Sequence, residues 1–460
     1  MTFLSGKLAE WTCATEFDDL PADVVESTRF RVLDVIGLAL AGLGTAFGQS
    51  VRNAALALAA DGPARILGTG ERVGLTSAAL TNGALSQAME FDDTHNESIV
   101  HMSGPAVATG LALAEVRPVS GGELIAAIAI GNEISCRIGS VAPGQFHKRG
   151  FHPTGLFATF GTTYLAGKLI GLDPAQTAKA AGIAGSFASG ILECWVDGTQ
   201  SKYLHPGWAA QSGITAALLA DAGATGPEAV LEGRFGLFAS HLQDADAERD
   251  FGRIDGRLGT FWESRRASFK PVPAAHVIHP YIDAILRARR EHAIDPAAVE
   301  RIVVPVAPYT LPIVCEPVAE KRRPRSDAQG RVSMQYTLAE ALYTGRLGKD
   351  AYRESALEHP AILNLADRVE VEADPGFPGP ERFKGAVRIV MKGGAVREAI
   401  EEHNRGSPEN PMTPEEIVAK FDENASDVLA PDRRRRLVDA VASLESLGAA
   451  SALIDLAVWS

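Results

Sequence analysis

The feature that most constrains the fold is a long succession of segments, within residues 1–267, that are apolar on nearly every side. Apolar residues recur in them at the spacing of an α-helix. A helix that is apolar all round is buried inside a core instead of lying along a surface. The sequence predicts such helices over residues 75–89, 105–115, 123–138, 155–170, 174–188 and 208–222. It therefore predicts a large all-helical domain.

The pattern changes at about residue 268. Segments 302–306, 368–372 and 386–390 are β-branched or alternate apolar and polar residues, as strands do. Helical spacing occurs between and before them, over residues 278–291 and 336–344, and returns over 414–453. We predict a mainly α fold, with a helical domain of residues 1–267 completed by 400–460. A smaller α+β lid domain of residues 268–399 is expected to cap it.

Charge and cysteine content narrow the classes of function. A formal net charge of −13 argues against nucleic acid and anionic membranes as partners. The four cysteines are scattered without Cys-x-x-Cys spacing, which predicts a reducing compartment, no zinc knuckle and no iron–sulfur site. The N-terminal residues show no signal-peptide pattern, and no apolar run approaches the eighteen or so residues of a membrane span. We expect a cytoplasmic protein.

Residues 87–105 concentrate polar side chains between two apolar helical segments. The stretch contains Glu90, Asp92, Asp93, Thr94, His95, Glu97, Ser98 and His101. Helix capping is one interpretation, since Asp, Thr and Ser are preferred at helix starts. Capping accounts for Asp93, Thr94 or Ser103 but gives no role to two histidines and a glutamate. The stretch therefore predicts a site of proton transfer.

Two further patches contain residues suited to a catalytic site. His152 precedes Pro153 at the expected start of a helix, where free N–H groups and the helix dipole favour an anion. Lys202 and His205 precede the helix predicted from residue 208. A lysine beside an apolar wall needs an anion, which a carboxylate substrate or Glu90 would supply. Either patch can also be plain surface.

The domain boundary carries the last patch, because pockets form preferentially between domains. It contains Lys270, His276 and His279, and the two histidines are three residues apart on one expected helix face. A basic run over residues 321–325, which includes Arg323, lies farther along the lid. It is either a set of substrate clamps or a solvated loop.

Together these strings resemble the MmgE/PrpD family, which includes 2-methylcitrate dehydratase, cis-aconitate decarboxylase and iminodisuccinate epimerase. The strings are Glu-Phe-Asp-Asp-Thr-His at residues 90–95, His-Met-Ser-Gly-Pro at 101–105, Gly-Phe-His-Pro-Thr-Gly at 150–155, Ser-Lys at 201–202, His-Pro-Gly at 205–207, and Pro-x-x-His-x-x-His-Pro at 273–280. The resemblance spans nearly the whole chain. It implies a helical domain with an α+β lid, an active site between them, no cofactor, and a homodimer.

The resemblance also implies which residues form the site. It puts Thr94, His101, His152, Lys202 and one boundary histidine there, with His279 preferred to His276. An acidic residue of the family's decarboxylases corresponds to Glu90, where they have Asp. The interval from Thr94 to His101 is one residue longer here, and Met102 replaces the usual Pro. These departures leave the substrate open and count against decarboxylation.

The chemistry follows from the residue types. All three family reactions pass through a carbanion or enediolate next to a carboxylate, so they need proton transfer at carbon and stabilisation of negative charge. Our leading hypothesis is an acid/base lyase of the dehydratase type, acting on a small di- or tricarboxylate. In it the base is His101 or His152, and Lys202 anchors a carboxylate or acts as an acid.

The remaining site residues have supporting roles in this hypothesis. His279 is the second acid/base, Glu90 joins the catalytic group, and Thr94 with Asp93 positions the others. Asp93, Lys270, His276 and Arg323 are the candidates for substrate binding, and no metal ligand is assigned. Epimerisation, decarboxylation and non-catalytic carboxylate binding are alternatives. A metal set of Asp92, Asp93, His95 and His101 would instead mean metal-assisted hydrolysis or hydration.

Overall fold

The computed structural model describes residues 3–379 and 382–458. It is mainly α-helical, as predicted. The helices before the lid are α1 (Leu4–Ala14), α2 (Ala22–Gly42), α3 (Ala46–Ala59), α4 (Leu75–Gln87), α5 (Ser103–Ala114), α6 (Gly121–Gly139), α7 (Gln145–Lys148), α8 (Pro153–Ile170), α9 (Pro174–Ala184), α10 (Cys194–Asp197), α11 (His205–Asp221), α12 (Leu237–Leu242) and α13 (Gly252–Asp255). The six predicted helices are present as α4, α5, α6, α8, α9 and α11. The helix predicted to continue to residue 188 ends at Ala184.

Two short strand pairs interrupt these helices and were not predicted. Strand β1 (Ala60–Arg65) pairs with β2 (Arg72–Val73), and β3 (Thr94–His95) pairs with β4 (Ala267–Ser268), both antiparallel. In the second pair Thr94 lies opposite Ser268. This pairing attaches the polar stretch of residues 87–105 to the chain that leads into the lid.

A close approach of two helices brings distant parts of the sequence together. Helices α4 and α11 pack against each other at Gly83 and Gly207. A Cβ atom on Gly207 would lie 1.9 Å from the backbone oxygen of Leu80, so only glycine permits this contact. As a result the segment just before α11 lies beside the end of α4, where the polar stretch begins.

The lid combines a four-stranded sheet with helices. Its helices are α14 (His279–Glu291), α15 (Val318–Arg322), α16 (Asp327–Arg331), α17 (Met334–Thr344), α18 (Glu354–Leu357) and α19 (Pro360–Ala366). Its strands are β5 (Val299–Val306), β6 (Val369–Ala373), β7 (Gly385–Met391) and β8 (Val396–Glu401), in the order β6-β5-β7-β8. Strands β5 and β6 are parallel, and the other pairs are antiparallel. Strand β8 was not predicted, because its mostly exposed, charge-rich sequence has no clear period of two.

The end of the chain returns to the helical part. It forms α20 (Pro414–Ala425), α21 (Pro431–Ala442) and α22 (Ala452–Ala457). Phe421 and Leu437 belong to the same hydrophobic core as Leu33 and Ile36 of α2, whereas the lid has a core of its own. The boundaries at residues 267/268 and 399/400 stay predictions.

The length and hydropathy of the helices in the described residues limit which of them could cross a membrane. No single helix there is long and apolar enough to cross a membrane, and only α2 and α3 together, bent by 92°, meet the requirement. The first two residues of the N-terminal segment lie outside the described part of the chain.

Candidate active site

The polar stretch forms a buried turn between α4 and α5. Glu90, the third residue beyond α4, has a φ of +53°, a left-handed conformation that is uncommon for any residue except glycine. Such conformations cost about 1–2 kcal/mol and cluster at functional sites. From there the chain passes through β3 and enters α5 at Ser103. Its acidic and histidine side chains point inward: Glu90, Asp92, Asp93, His95 and His101 are all buried.

Asp93 is held by partners on both sides. Its Oδ2 accepts hydrogen bonds from Arg31 of α2 and from the Ser103 hydroxyl, and its Oδ1 accepts from the Ser103 backbone N–H at 3.2 Å. Asp93 thus satisfies one backbone N–H at the start of α5 from across the turn, although the N-cap residue itself is Met102 and has no side-chain cap. Because both oxygens are already bonded, this geometry favours positioning over the substrate binding predicted for Asp93.

His101 lies with one edge of its ring against the turn. Its Nδ1 is 2.9 Å from the backbone oxygen of Asp93, 3.1 Å from Asp92 Oδ2 and 3.2 Å from Thr94 Oγ1. Two of these neighbours can only accept, so Nδ1 carries a proton and the neutral ring has its lone pair on Nε2. Burial raises the pKa of Asp92, but His101, followed by Lys270 and Lys202, outweighs it and holds that pKa below its usual range. An ionised Asp92 thus orients the His101 ring.

Lys202 reaches the same turn from the segment before α11. Its Nζ lies 2.5 Å from Glu90 Oε1, and both side chains are buried. This is the protein carboxylate that the sequence named as one possible partner. Lys270 lies on the other side, with Nζ donating to the Glu90 backbone oxygen at 3.1 Å and 3.8 Å from Glu90 Oε2. Burial raises the pKa of Glu90, yet Lys202, Lys270 and His101 bring it below its ordinary value.

His152 stands at the start of α8, as predicted, and its ring centre lies 5.6 Å from that of His101. Thr154, in the first turn of α8, accepts a hydrogen bond from the His101 backbone N–H at 3.0 Å, which joins the two segments. Burial, His205 and Lys202 lower the pKa of His152 well below its ordinary value. His152 is therefore a neutral ring at neutral pH, and its Nε2 is buried without a partner among the described residues.

The two boundary histidines differ in what their nitrogens contact. His279 Nε2 donates to the Ala274 backbone oxygen at 3.1 Å, inside its own segment. His276 Nε2 lies 3.1 Å from Asn404 Nδ2, which also donates to the Arg405 backbone oxygen, so the His276 nitrogen is the acceptor. The neutral ring then carries its proton on Nδ1, which is buried and has no partner in the part of the chain that the structure describes.

His279 Nδ1 is also buried without a partner among the described residues, but it is the lone pair of a ring whose proton lies on Nε2. Of the two rings, His276 is the one that offers an unpaired N–H, which favours His276 over His279 as an acid, the reverse of the order suggested by the sequence. Burial, His279, Lys270 and His101 lower the pKa of His276 well below its ordinary value, so its ring interacts electrostatically with the cluster and is neutral. Burial and Lys270 lower the pKa of His279 to about 3, and its bond to Ala274 gives it a structural role.

The basic run of the lid is not brought into the cluster. Arg323 donates to Asp367 Oδ2 at 2.6 Å and to the Leu363 backbone oxygen at 3.0 Å, both at α19. Lys321 is buried and donates to the backbone oxygens of Ile313 and Val332. These contacts tie the run to the lid itself, so the structure gives no support to Arg323 as a substrate clamp.

Several contributors besides Asn404 were not assigned by the sequence. Asp92 and His205 were named there but given no role in the acid/base site, although Asp92 follows Glu90 in the polar string. Arg31 reaches Asp93 from α2, and Arg331 of the lid donates to the Met89 backbone oxygen at 2.8 Å. Both arginines come from elements far away in the sequence, where no periodic pattern marks such a contact.

The alternative metal set is not assembled in the described part of the chain. Asp93 bonds to Arg31 and Ser103, while His95 faces Ser98 at 2.8 Å and Glu263 at 3.6 Å. Over residues 3–379 and 382–458 no group of three His, Cys, Asp or Glu side chains is arranged around a common point.

A cleft of about 110 Å³ lies where the lid meets the helical part, next to the cluster. It is lined by His95, Asn96, Glu97, Arg266, Arg382, Phe383, His403, Asn404, Ser407, Pro408 and Glu409. Asn404 connects this cleft to His276, because Asn404 lines the cleft and its side chain forms a hydrogen bond with His276.

Comparison with known proteins covers nearly the whole chain. Residues 6–250 match the MmgE/PrpD N-terminal domain, and residues 272–446 match the MmgE/PrpD C-terminal domain. A cis-aconitate decarboxylase of Aspergillus terreus is 28% identical over 98% of this chain and 95% of its own length. The cis-aconitate decarboxylase-like protein oryM of Aspergillus oryzae is 27% identical, over 98% and 97%. The human cis-aconitate decarboxylase is 28% identical, over 94% and 90%.

Proposed function

The chain belongs to the MmgE/PrpD family, and from that premise we propose that it is an acid/base lyase of the dehydratase type. Its substrate is a small di- or tricarboxylate with a hydroxyl group, and its own side chains carry the chemistry. A base removes a proton from the carbon next to a carboxylate, and the electron pair moves onto that carboxylate as an enediolate. The pair then forms a carbon–carbon double bond as the neighbouring hydroxyl leaves, protonated by an acid, as water.

His101 is the base in this proposal. The ionised Asp92 accepts a hydrogen bond from the Nδ1–H group of His101, which keeps the lone pair of the neutral ring on Nε2. The same carboxylate stabilises the cation that forms when Nε2 takes a proton. Thr94 and the Asp93 backbone oxygen hold the ring from the same side. His152 is the alternative base, because its own Nε2 bonds to none of the described residues and its ring centre lies 5.6 Å from that of His101.

His276 is the acid. Asn404 donates to its Nε2, so its Nδ1–H is free to protonate a departing hydroxyl. A buried donor without a protein partner is costly unless a ligand satisfies it. His276 lies at the start of the lid and interacts electrostatically with His101 of the helical part, which supports proton removal and delivery by different groups.

Lys202 and Lys270 hold the substrate carboxylates. Lys202 has three N–H donors and uses one on Glu90, which leaves the others for an anion. Donors fixed in a dry site stabilise developing negative charge far better than donors in water. Glu90 keeps Lys202 aimed into the site, which accounts for the strained backbone at that residue.

One observation carries this proposal: the Asp92–His101 pair, His152 and the Glu90–Lys202 pair meet in one buried cluster. Burying so many ionisable groups costs stability, and such groups with perturbed pKa values gather mainly at functional sites.

Proton NMR in deuterated water tests the proposal. The purified enzyme is incubated with citrate-like, malate-like and aminodicarboxylate compounds and with cis-aconitate. New vinyl signals from a hydroxy acid, absent with a variant carrying H101Q and H152Q, support the lyase. If the folded enzyme changes no compound of the panel, the proposal is wrong.

Decarboxylation is the second candidate, and the relatives favour it, since they are named cis-aconitate decarboxylases. In that reaction the carbon–carboxylate bond breaks, carbon dioxide leaves, and the electron pair left on carbon takes a proton from an acid. Release of carbon dioxide from cis-aconitate, with deuterium incorporated into the product, would select it over dehydration.

Epimerisation and binding without catalysis are weaker candidates. An epimerase returns a proton to the same carbon from the opposite face, and it would exchange the α-hydrogen for deuterium without elimination. A binding protein would retain a dicarboxylate with no reaction, and replacing Lys202 and His152 would leave its affinity unchanged.

We also propose that the protein is a homodimer. Helix α11 exposes Trp208, Leu218 and Leu219 by 39%, 37% and 40% on adjoining faces, and the nearby Ile191 is 63% exposed. Sedimentation of the wild-type protein should give twice the mass of one chain. The double variant W208K/L219K should sediment with the mass of a single chain. A monomeric wild-type protein at micromolar concentration would refute the dimer.

A further inference from the structure

The buried His152 has a second histidine as its partner. His152 Nδ1 lies 2.8 Å from His205 Nδ1, with ring centres 5.0 Å apart. Two lone pairs cannot face each other at this distance, and neither can two N–H groups. Burial, with Lys202, also lowers the pKa of His205 to about 4, so both rings are neutral at neutral pH. One proton therefore lies between them, carried by one of the two Nδ1 atoms.

Burial decides which ring carries it. His152 Nε2 is buried and has no partner within residues 3–379 and 382–458, whereas His205 is only partly buried. If His205 supplied the shared proton, the proton of His152 would be on Nε2, a buried N–H donor with no acceptor. Unpaired buried N–H groups are rarer than unpaired acceptors. The favoured arrangement puts the proton on His152 Nδ1 and leaves His205 Nδ1 as the acceptor, with the Nε2 proton of His205 on the less buried side.

The backbone around Gly190 keeps the two rings in this arrangement. The His152 backbone N–H donates to the Gly190 oxygen at 3.0 Å. The His205 ring lies over the same residue, where an added Cβ would come within 3.2 Å of it. With a φ of +133°, Gly190 has a conformation that other residues rarely adopt. Gly190 therefore fixes the distance between the rings.

We propose that His205 is a positioning residue that sets the tautomer of His152. His205 accepts a hydrogen bond from the Nδ1–H group of His152. The lone pair of His152 therefore stays on Nε2, inside the cluster that also contains His101. This inference rests on the proposed acid/base function only for its consequence in catalysis. The tautomer itself is a property of the protein without substrate.

Nitrogen-15 NMR of the histidine rings tests the tautomer directly. In the wild-type protein, with resonances assigned by loss of signal in H152Q, His152 should show a protonated Nδ1 and an unprotonated Nε2. In H205N the asparagine oxygen stands near the place of His205 Nδ1 and can still accept, so the pattern should persist. In H205A the acceptor is absent, and His152 should lose its exclusive Nδ1–H form. The exposed His292 gives the matched control H292N.

Activity then shows whether the tautomer matters. With the wrong tautomer a catalytic histidine can lose up to about 10⁴-fold in rate. We expect kcat of H205A to fall by at least about tenfold with KM little changed, while H205N stays within about threefold of wild type. A wild-type His152 protonated on Nε2, or an unchanged pattern in H205A, would overturn the inference. A wild-type enzyme that shows the expected tautomer but turns over no carboxylate would instead refute the proposed function alone.

Discussion

The guanidinium of Arg31, in the middle of α2, donates to the carboxylate of Asp93 with both side chains almost completely buried. Asp93 in turn accepts from the backbone and hydroxyl of Ser103 at the start of α5. Asp93 thus attaches the turn that carries Glu90 and His101 to α2 and to the start of α5. The site depends on the pair of Arg31 and Asp93 even though neither group is assigned a part in the reaction.

Removing Arg31 should therefore destabilise the protein strongly. In R31M the Asp93 carboxylate stays buried without its cation, and breaking a buried pair from one side costs about 3–5 kcal/mol. Urea unfolding should show this loss. The control is R29M on the same helix, since Arg29 pairs with Glu445 at the surface and such pairs contribute at most about 1 kcal/mol. Equal losses in the two variants would contradict the structural role of Arg31.

Lys202 should be needed for turnover. In K202M one anion donor is removed from a dry site, where a single fixed donor contributes about 10²–10³-fold to the rate. We expect kcat/KM to fall by at least about 10²-fold on whichever carboxylate the enzyme uses. The exposed Lys179 of α9 gives the control K179M, which should match wild type. A K202M enzyme within a few-fold of wild type would remove Lys202 from the mechanism.

The sequence identified most of the residues of the candidate site but few of the contacts between them. The polar string of residues 90–101, the His152 helix start and Lys202 stand out because ionisable side chains are conspicuous among Ala, Leu and Gly. The Lys202–Glu90 pair is one of the two alternatives that the sequence leaves open, because a lysine against an apolar wall needs either a protein carboxylate or a carboxylate ligand. Arg31 and Asn404 gave no such signal, since each looks like an ordinary polar residue until the fold brings it to Asp93 or His276.

The fold shows the same limit. The large helices were predicted because each has its own apolar period, and the mainly α architecture followed from them. The pairing of Thr94 with Ser268 was not predicted, because a strand of two residues is too short to show a period in its sequence. The order of the boundary histidines depended on which nitrogen meets Ala274 and which meets Asn404, and a sequence carries no information on that choice.

Glutamine substitutions can separate the two boundary histidines. The amide of glutamine reaches the place of Nε2 but offers nothing at Nδ1. In H279Q the bond to the Ala274 oxygen can be kept, so activity should stay within a few-fold of wild type. In H276Q the contact with Asn404 can be kept while the Nδ1 donor is lost. We expect kcat to fall by about 10²–10⁴-fold, as for loss of a general acid. If H279Q lost more activity than H276Q, the sequence-based preference for His279 would be restored.

A buried acid in the lid should make stability depend on pH. Glu340 of α17 is 3% exposed, and burial raises its pKa from 4.5 to about 7. The native state therefore retains a proton that the unfolded chain releases near pH 4.5. As pH rises from about 4.5 to 7, the unfolded state binds fewer protons than the native state, so stability falls, by about 3 kcal/mol in total.

The variant E340Q removes this titration. Its amide oxygen can still accept from the Tyr352 backbone N–H, which lies 3.4 Å from Glu340 Oε1. E340Q should therefore be more stable than wild type by about 2–3 kcal/mol at pH 8.5, with the gap closing as pH falls towards 5. Denaturant midpoints at several pH values measure it, with E358Q at the exposed Glu358 as the control. Asp34 and Asp283, whose pKa values burial raises to about 6, titrate equally in both proteins and cancel from the difference. A gap that stays constant with pH would mean that Glu340 is not protonated in the native lid.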